Sequence, residues 1–112
     1  MAKTFLILSD RVGGSNDELG ALLMRNFLYS LARAEAKPAR VMLMNEGVRL
    51  ACTGSDSLDD LRLLVEAGVP VKACGTCLDY LSLKDDLAVG EVGAMAASVD
   101  VLAGDSEVVT IR

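Results

Sequence analysis

Short apolar runs that alternate with helix-like segments restrict the fold of this chain more than any other feature of its sequence. The runs lie at residues 4–8, 40–44, 69–73, 87–90 and 107–111. The first run shows no polar alternation, which is typical of a strand buried on both faces of a parallel sheet. Strands that alternate with helices form a mostly parallel sheet with helices on both faces. We therefore predict an α/β fold with a mostly parallel, five-stranded sheet.

The segments between the runs have helix signals. Ser15 and Glu18 have the spacing of a capping box, so Ser15 is predicted to cap a helix that ends near residues 37–38. An apolar stripe with helical spacing is predicted to form the inner face of this helix: Leu19, Leu22, Leu23, Phe27 and Leu31. Ser57 is predicted to cap a second helix that ends at Gly68. Two further helices are predicted after the third and fourth runs.

Length and composition suit a single domain over residues 1–112. Apolar residues make up 52% of the chain, and a chain of this size buries about two-thirds of its unfolded surface. No apolar run reaches the roughly 18 residues of a membrane span. Residues 1–5 lack the long apolar region and cleavage site of a signal peptide. We therefore expect a cytoplasmic protein with no membrane segment.

The charge of the chain excludes nucleic acid as an expected partner. The formal net charge is −5, and only 11 residues are Lys or Arg. Binding to phosphate groups requires a basic face, and no cluster of Lys and Arg provides one. Aromatic residues make up 4% of the chain, so a stacking platform for bases is not expected either.

The absence of histidine limits the chemistry further. The chain has no histidine, which excludes Ser-His-Asp and Cys-His nucleophile pairs and zinc sites built on histidine. Its three cysteines are too few for a disulfide framework, so they are interpreted as thiols. No cofactor and no metal are expected.

Two of these thiols directly follow the third run. Cys74 and Cys77 are separated by Gly75 and Thr76. A strand that leads at once into a helix places Cys74 at the helix start, where free N–H groups stabilise a thiolate. Helical spacing then places Cys77 on the same side, and Gly75 leaves the sulfur uncovered. We predict that Cys74 and Cys77 are the catalytic residues.

The topology predicts which residues border this pair. In an open α/β sheet, sites form beyond the carboxyl ends of the strands. The residues expected on this rim are Asp10, Asn45, Gly47, Gly75, Thr76 and Glu91.

Other interpretations of the cysteines and glycines remain open from the residues alone. Cys74 and Cys77 could form a redox dithiol, or be two inert buried thiols. A zinc site within one chain would have only Cys52 as a further thiol ligand, and Cys52 is predicted to lie in the core. Gly13 and Gly14 lie between a strand and a helix, but they match neither a dinucleotide fingerprint nor a P-loop.

Several sequence strings resemble a known family. Residues 74–80 read Cys-Gly-Thr-Cys-Leu-Asp-Tyr, and residues 87–92 read Leu-Ala-Val-Gly-Glu-Val. With residues 17–20 and 45–48, they resemble the DsrE-like domain of YedF proteins, which are sulfurtransferase-like proteins tied to selenium metabolism. The likeness extends over almost the whole chain, from residue 5 to residue 111.

The resemblance implies a DsrE/DsrF-like fold, a three-layer α/β/α sandwich. It also implies an intracellular carrier that relays sulfur or selenium as a cysteine persulfide, often within homo- or hetero-oligomers. Cys74 matches the transfer cysteine of the family, and Cys77 matches a second cysteine found in some branches. YedF proteins usually have an N-terminal TusA-like domain that this sequence does not contain, so a TusA-like protein is an expected partner beside sulfur donor and acceptor proteins. The alternatives are a Cys-x-x-Cys redox module and a non-catalytic, oligomeric binding domain.

Overall fold

Five parallel strands form one sheet in the computed structural model, which describes residues 2–112. The strands are β1 (Thr4–Ile7), β2 (Arg40–Leu43), β3 (Val71–Cys74), β4 (Glu91–Gly93) and β5 (Val108–Ile111). Their order across the sheet is β4-β3-β2-β1-β5, and every pair is parallel. The helices are α1 (Asp17–Arg33), α2 (Leu58–Glu66), α3 (Gly75–Tyr80) and α4 (Met95–Leu102), with 3-10 segments at Asn45–Ala51 and Lys84–Asp86. The predicted α/β fold with a five-stranded sheet is confirmed.

The strand order distributes the helices over both faces of the sheet. From β1 to β4 each strand lies beside the previous one, and β5 then returns to the far side of β1. Because parallel crossovers are right-handed, this reversal of direction puts α4 on the face opposite to α1 and α2. The result is the three-layer α/β/α arrangement.

One face of the sheet is closely covered, and we call it the closed face. Its residues alternate along the strands and lie in the core: Ile7, Val41, Leu43, Val71 and Ala73. Met24 and Leu28 of α1 and Leu61 and Leu64 of α2 complete this core, and all four are fully buried. Burial of one such side chain contributes about 1.5–3 kcal/mol, so this face supplies most of the stabilisation.

The opposite face, called the open face, contains Arg40, Met42 and Lys72. α4 covers it, but none of the residues of α4 is buried. The two faces therefore differ in how completely helices cover them. Within residues 2–112, no helix combines the length and the apolar character needed to cross a membrane.

The start of α1 differs from the prediction. The cap is Asn16, whose Oδ1 accepts the Leu19 N–H at 2.9 Å, and not Ser15. The buried face is also different: Gly20, Met24, Leu28, Leu31 and Ala32. Of the predicted stripe, Leu31 is buried and Phe27 is half-buried. Leu19, Leu22 and Leu23 are 50%, 40% and 45% exposed.

Contact with the preceding loop explains this rotation of α1. A Cβ atom at position 20 would lie 2.3 Å from the Val12 carbonyl oxygen, so only glycine permits this close approach. The Val12 N–H also donates to the Gly20 carbonyl oxygen at 3.0 Å. The Gly20 side of the helix therefore faces inward, although the leucines are more apolar.

The predicted strand at residues 87–90 is wrong, because this run pairs outside the sheet. Ala88 N–H donates to the Ala51 carbonyl oxygen at 2.8 Å, and Leu87 forms an isolated antiparallel bridge with Cys52. Gly90 then turns the chain at a φ of 80°, where a Cβ would lie 2.5 Å from the Val71 carbonyl oxygen. β4 begins only after this turn.

Candidate functional site

The two cysteines of the motif lie where β3 leads directly into α3. Cys74 ends the strand, and Gly75 begins the helix. The Cys77 N–H donates to Cys74 Sγ at 3.4 Å, so this sulfur caps α3. A helix start leaves backbone N–H groups free, and sulfur takes here the role that an oxygen usually has. The motif therefore places the Cys74 sulfur against the backbone N–H of Cys77.

Cys77 is half-buried and lies beside Cys74. The pKa of the Cys77 thiol is raised, first by burial and then by its hydrogen bond with Cys74, while the Asn45 N–H acts in the opposite direction. That N–H donates to Cys77 Sγ at 3.1 Å. A smaller fraction of Cys77 is therefore ionised at neutral pH than of an ordinary cysteine. Cys74 is the more buried of the two, with 8% of its surface exposed.

The 3-10 segment Asn45–Ala51 brings its first N–H to Cys77. Asn45 has a φ of 54°, in the left-handed region that asparagine tolerates better than most residues. Gly47 then crosses the end of β1, where a Cβ atom would lie 2.3 Å from the Ile7 carbonyl oxygen. The Met44 N–H donates to the same oxygen at 3.0 Å. Close packing of this turn on β1 thus holds the Asn45 N–H against the Cys77 thiol.

Two further predicted rim residues lie within the motif itself. Gly75 packs against β4, since a Cβ at this position would lie 3.1 Å from Val92 Cγ1. Thr76 is exposed in the first turn of α3. Four of the six rim residues, namely Asn45, Gly47, Gly75 and Thr76, therefore lie in the motif or in the turn that contacts it.

Asp10 and Glu91 have partners away from the cysteines. Asp10 accepts from Arg11 Nε at 3.3 Å and lines a cavity of about 340 Å³ between α1 and residues 49–57. Glu91 begins β4 instead of following it, so its predicted place at the carboxyl end of the fourth strand is wrong. It accepts from Lys72 Nζ at 2.7 Å, and this hydrogen bond and the positive charge lower the pKa of Glu91.

The third thiol belongs to the core, as predicted. Cys52 is 3% exposed, and its Sγ donates to the Val48 carbonyl oxygen at 3.2 Å. Burial is the main cause of its raised pKa. In residues 2–112, no three side chains of the His, Cys, Asp and Glu types lie close enough together to hold a metal ion.

The role of the Asn45 backbone is not predicted from the sequence. The sequence predicts Asn45 on the rim. Its N–H can donate to Cys77 Sγ only because Asn45 adopts a left-handed backbone conformation. The available signal is an asparagine directly after a strand and two residues before a glycine, a pattern typical of tight turns.

Comparison with solved structures shows which proteins share this fold. The ychN protein of E. coli is similar over 99% of this chain and 100% of its own, with a TM-score of 0.71 and 21% identity. MTH1491 of Methanobacterium thermoautotrophicum, a protein of unknown function, is similar over 97% of both chains, with a TM-score of 0.66 and 23% identity. BT1422 of Bacteroides thetaiotaomicron, also of unknown function, has a TM-score of 0.60 and 14% identity over 97% of this chain and 94% of its own.

The chain therefore has the fold of the ychN protein, an α/β sandwich with a parallel sheet. Identities of this size show the fold alone. No protein-family description matches the sequence, and no curated protein is similar to it.

Proposed function

We propose that this protein is a sulfur or selenium carrier that holds the transferred atom as a persulfide on Cys74. One observation supports this proposal most directly: Cys74 and Cys77 lie together at the end of β3, and each sulfur accepts a backbone N–H. Backbone donors of this kind stabilise negative charge on sulfur without a histidine. The resemblance to DsrE-like domains and the shared ychN fold agree with this chemistry.

The proposed transfer needs no external oxidant or reductant. The Cys74 thiolate attacks the outer sulfur of a donor persulfide, R–S–SH. The donor S–S bond breaks, R–S⁻ leaves, and Cys74–S–SH forms. An acceptor thiolate then attacks the outer sulfur, forms its own persulfide and releases the Cys74 thiolate. A selenium atom in the outer position would follow the same path.

Cys77 is proposed to control how long the persulfide survives. Its raised pKa leaves less thiolate at neutral pH than an ordinary cysteine has, so it is a poor competitor for the incoming sulfur. When it does ionise, its sulfur can attack the inner sulfur of Cys74–S–SH. A Cys74–Cys77 disulfide then forms, and HS⁻ leaves.

Mass spectrometry with single cysteine variants tests the carrier function. After incubation with glutathione persulfide, the native protein and the control Cys52→Ser are expected to gain one sulfur, removable by dithiothreitol, on Cys74. Cys74→Ser is expected to gain none, and Cys77→Ser to retain its persulfide longer. Uptake at the native rate in Cys74→Ser, but not in Cys77→Ser, would reverse the assignment of the two residues.

A dithiol redox module is the second candidate, because the Cys77 N–H donates to Cys74 Sγ at 3.4 Å and the two cysteines lie side by side. In that function both thiols lose a proton and an electron to a disulfide acceptor and form one intramolecular bond. Loss of two protons without any gain of sulfur would favour this candidate. Equilibration with glutathione buffers would then give its potential, to be compared with the cytosolic range of about −220 to −320 mV. If neither modification occurs, a non-catalytic binding domain becomes the better explanation.

Partners and assembly are part of the same proposal. We propose donor and acceptor proteins, among them a TusA-like protein, and a homo-oligomer that uses exposed apolar residues of α1. Leu19, Leu22 and Leu23 lie on its outer side, and contiguous apolar surface of this kind is typical of interfaces. Light scattering after size-exclusion chromatography measures the subunit number, and a monomer at all concentrations would contradict the oligomer.

A further inference from the structure

A cavity separates α4 from the open face of the sheet. Its volume is about 370 Å³, and its walls include Met42, Pro70, Gly93, Ala97 and Val101. Small-molecule sites commonly have volumes of about 300–1,000 Å³ and mostly apolar walls with a few polar groups. The cavity has both properties, and it is separate from the hydrogen bonds that hold the cysteine pair.

Arg40 lies at one end of this cavity and has no acidic partner. Its Nη1 donates to the hydroxyl oxygens of Thr4 and Ser106, the latter at 3.4 Å. Among residues 2–112, no carboxylate lies within ion-pair distance of its guanidinium group. The other cation of the cavity wall, Lys72, is paired with Glu91 at 2.7 Å.

This unpaired charge favours an anion from outside the chain. Arg40 is half-buried, and a cation loses hydration when it is buried without a counter-charge. Hydroxyl groups satisfy hydrogen bonds, but they do not neutralise the charge. A planar carboxylate matches the fork of a guanidinium group and can accept two parallel hydrogen bonds from it.

The shape of the cavity determines the length and polarity of the part of the ligand beyond its carboxylate. Arg40 and Pro70 lie at the amino ends of β2 and β3, whereas Val92 pairs with Ala73 near the carboxyl end of β3. Three strand residues separate these two levels, a distance of about 10 Å. Ala97 and Val101, four residues apart on α4, line the same groove. The groove is therefore long and mostly apolar, and its unpaired cation, Arg40, lies at one end.

We infer that this groove binds a linear apolar carboxylate of about eight carbons, with its carboxylate on Arg40 and its chain between α4 and the open face. Charge complementarity at Arg40 and the apolar walls select this ligand over a nucleotide or a sugar. The inference does not rest on the sulfur carrier function, and neither cysteine lines the groove.

Titration with octanoate tests the inference. Amide spectra of the ¹⁵N-labelled protein are recorded with sodium octanoate and, separately, with octan-1-ol, which has the same chain but no carboxylate. We expect saturable shifts at groove residues such as Gly93, Ala97 and Val101, and weaker binding of the alcohol. Arg40→Gln is expected to weaken octanoate binding about ten- to hundredfold, the effect of losing a charged hydrogen-bond partner.

Two further variants complete the test. Arg62→Gln is the matched control, because this exposed arginine is paired with Asp59 on α2, and it is expected to bind octanoate like the native protein. Ala97→Met fills the groove and leaves Arg40 unchanged, so it is expected to abolish binding of both compounds. This second variant keeps the test valid if Arg40→Gln disturbs Thr4 and Ser106.

Three results would overturn the inference. The first is equal affinity for octanoate and octanol, and the second is unchanged octanoate binding by a folded Arg40→Gln. The third is groove signals that depend on protein concentration and not on octanoate, which would mean that a second copy of the chain covers the groove.

Discussion

The closed face and the open face of the sheet belong to the same strands but differ in their cover. Fully buried side chains of α1 and α2, such as Leu28 and Leu64, pack on the closed face. On the other side, Ala97 of α4 is exposed and Val101 is half-buried, although both line the cavity between α4 and the open face. Because removal of apolar surface from water supplies most of the folding free energy, the closed face stabilises the protein. The open face retains the accessible surface on which a ligand can bind.

The largest expected difference is in the free energy of unfolding, when one leucine is truncated on a helix of the closed face and one on α4. Leu64→Ala removes a fully buried side chain from the closed face, and the free energy of unfolding should fall by about 2–5 kcal/mol. Leu102→Ala, on α4, removes a side chain that is 37% exposed and should cost about 1 kcal/mol or less. Urea unfolding followed by circular dichroism measures both values. Equal losses would contradict the difference between the faces.

A methyl group at Gly47 tests how tightly the turn at the end of the sheet is held. Gly47→Ala would place a Cβ 2.3 Å from the Ile7 carbonyl oxygen, and the resulting shift should cost about 1–3 kcal/mol. The Asn45 amide signal should also move, since this turn directs that N–H to Cys77. In the control Gly13→Ala, the nearest atom is 3.7 Å away, and the change should stay within about 0.5 kcal/mol. Comparable unfolding midpoints for the two variants would show that the turn adapts freely.

The smallest expected effect is on the pH dependence of Cys77 alkylation. It tests whether the burial found on the closed face also affects this thiol. Since burial raises the pKa of Cys77, less thiolate exists at neutral pH than in an ordinary thiol. Its alkylation by iodoacetamide should therefore keep rising beyond about pH 8.5, the ordinary value for cysteine. The rate is measured by peptide mass spectrometry on Cys52→Ser, with the urea-unfolded protein as the reference. A midpoint below that of the unfolded protein would contradict the burial of this thiol.

Much of the candidate site follows from local sequence. A strand that leads straight into a helix places Cys74 at the junction, and the three-residue spacing brings Cys77 beside it. The place of Glu91 could not be predicted in the same way. It depends on Gly90, which turns the chain after the preceding apolar run has paired with Ala51.

The amino-acid sequence by itself determined the order and type of the elements, because short apolar runs and helical periodicity are local properties. It also determined that Cys74 and Cys77 lie where a parallel strand leads into a helix. Only the tertiary structure decided which side of α1 is buried, since apolar residues occur on both sides and a contact between Gly20 and Val12 selects one. The same holds for Asn45 at Cys77 and for the unpaired charge of Arg40: each depends on segments distant in the chain, and no local pattern encodes their approach.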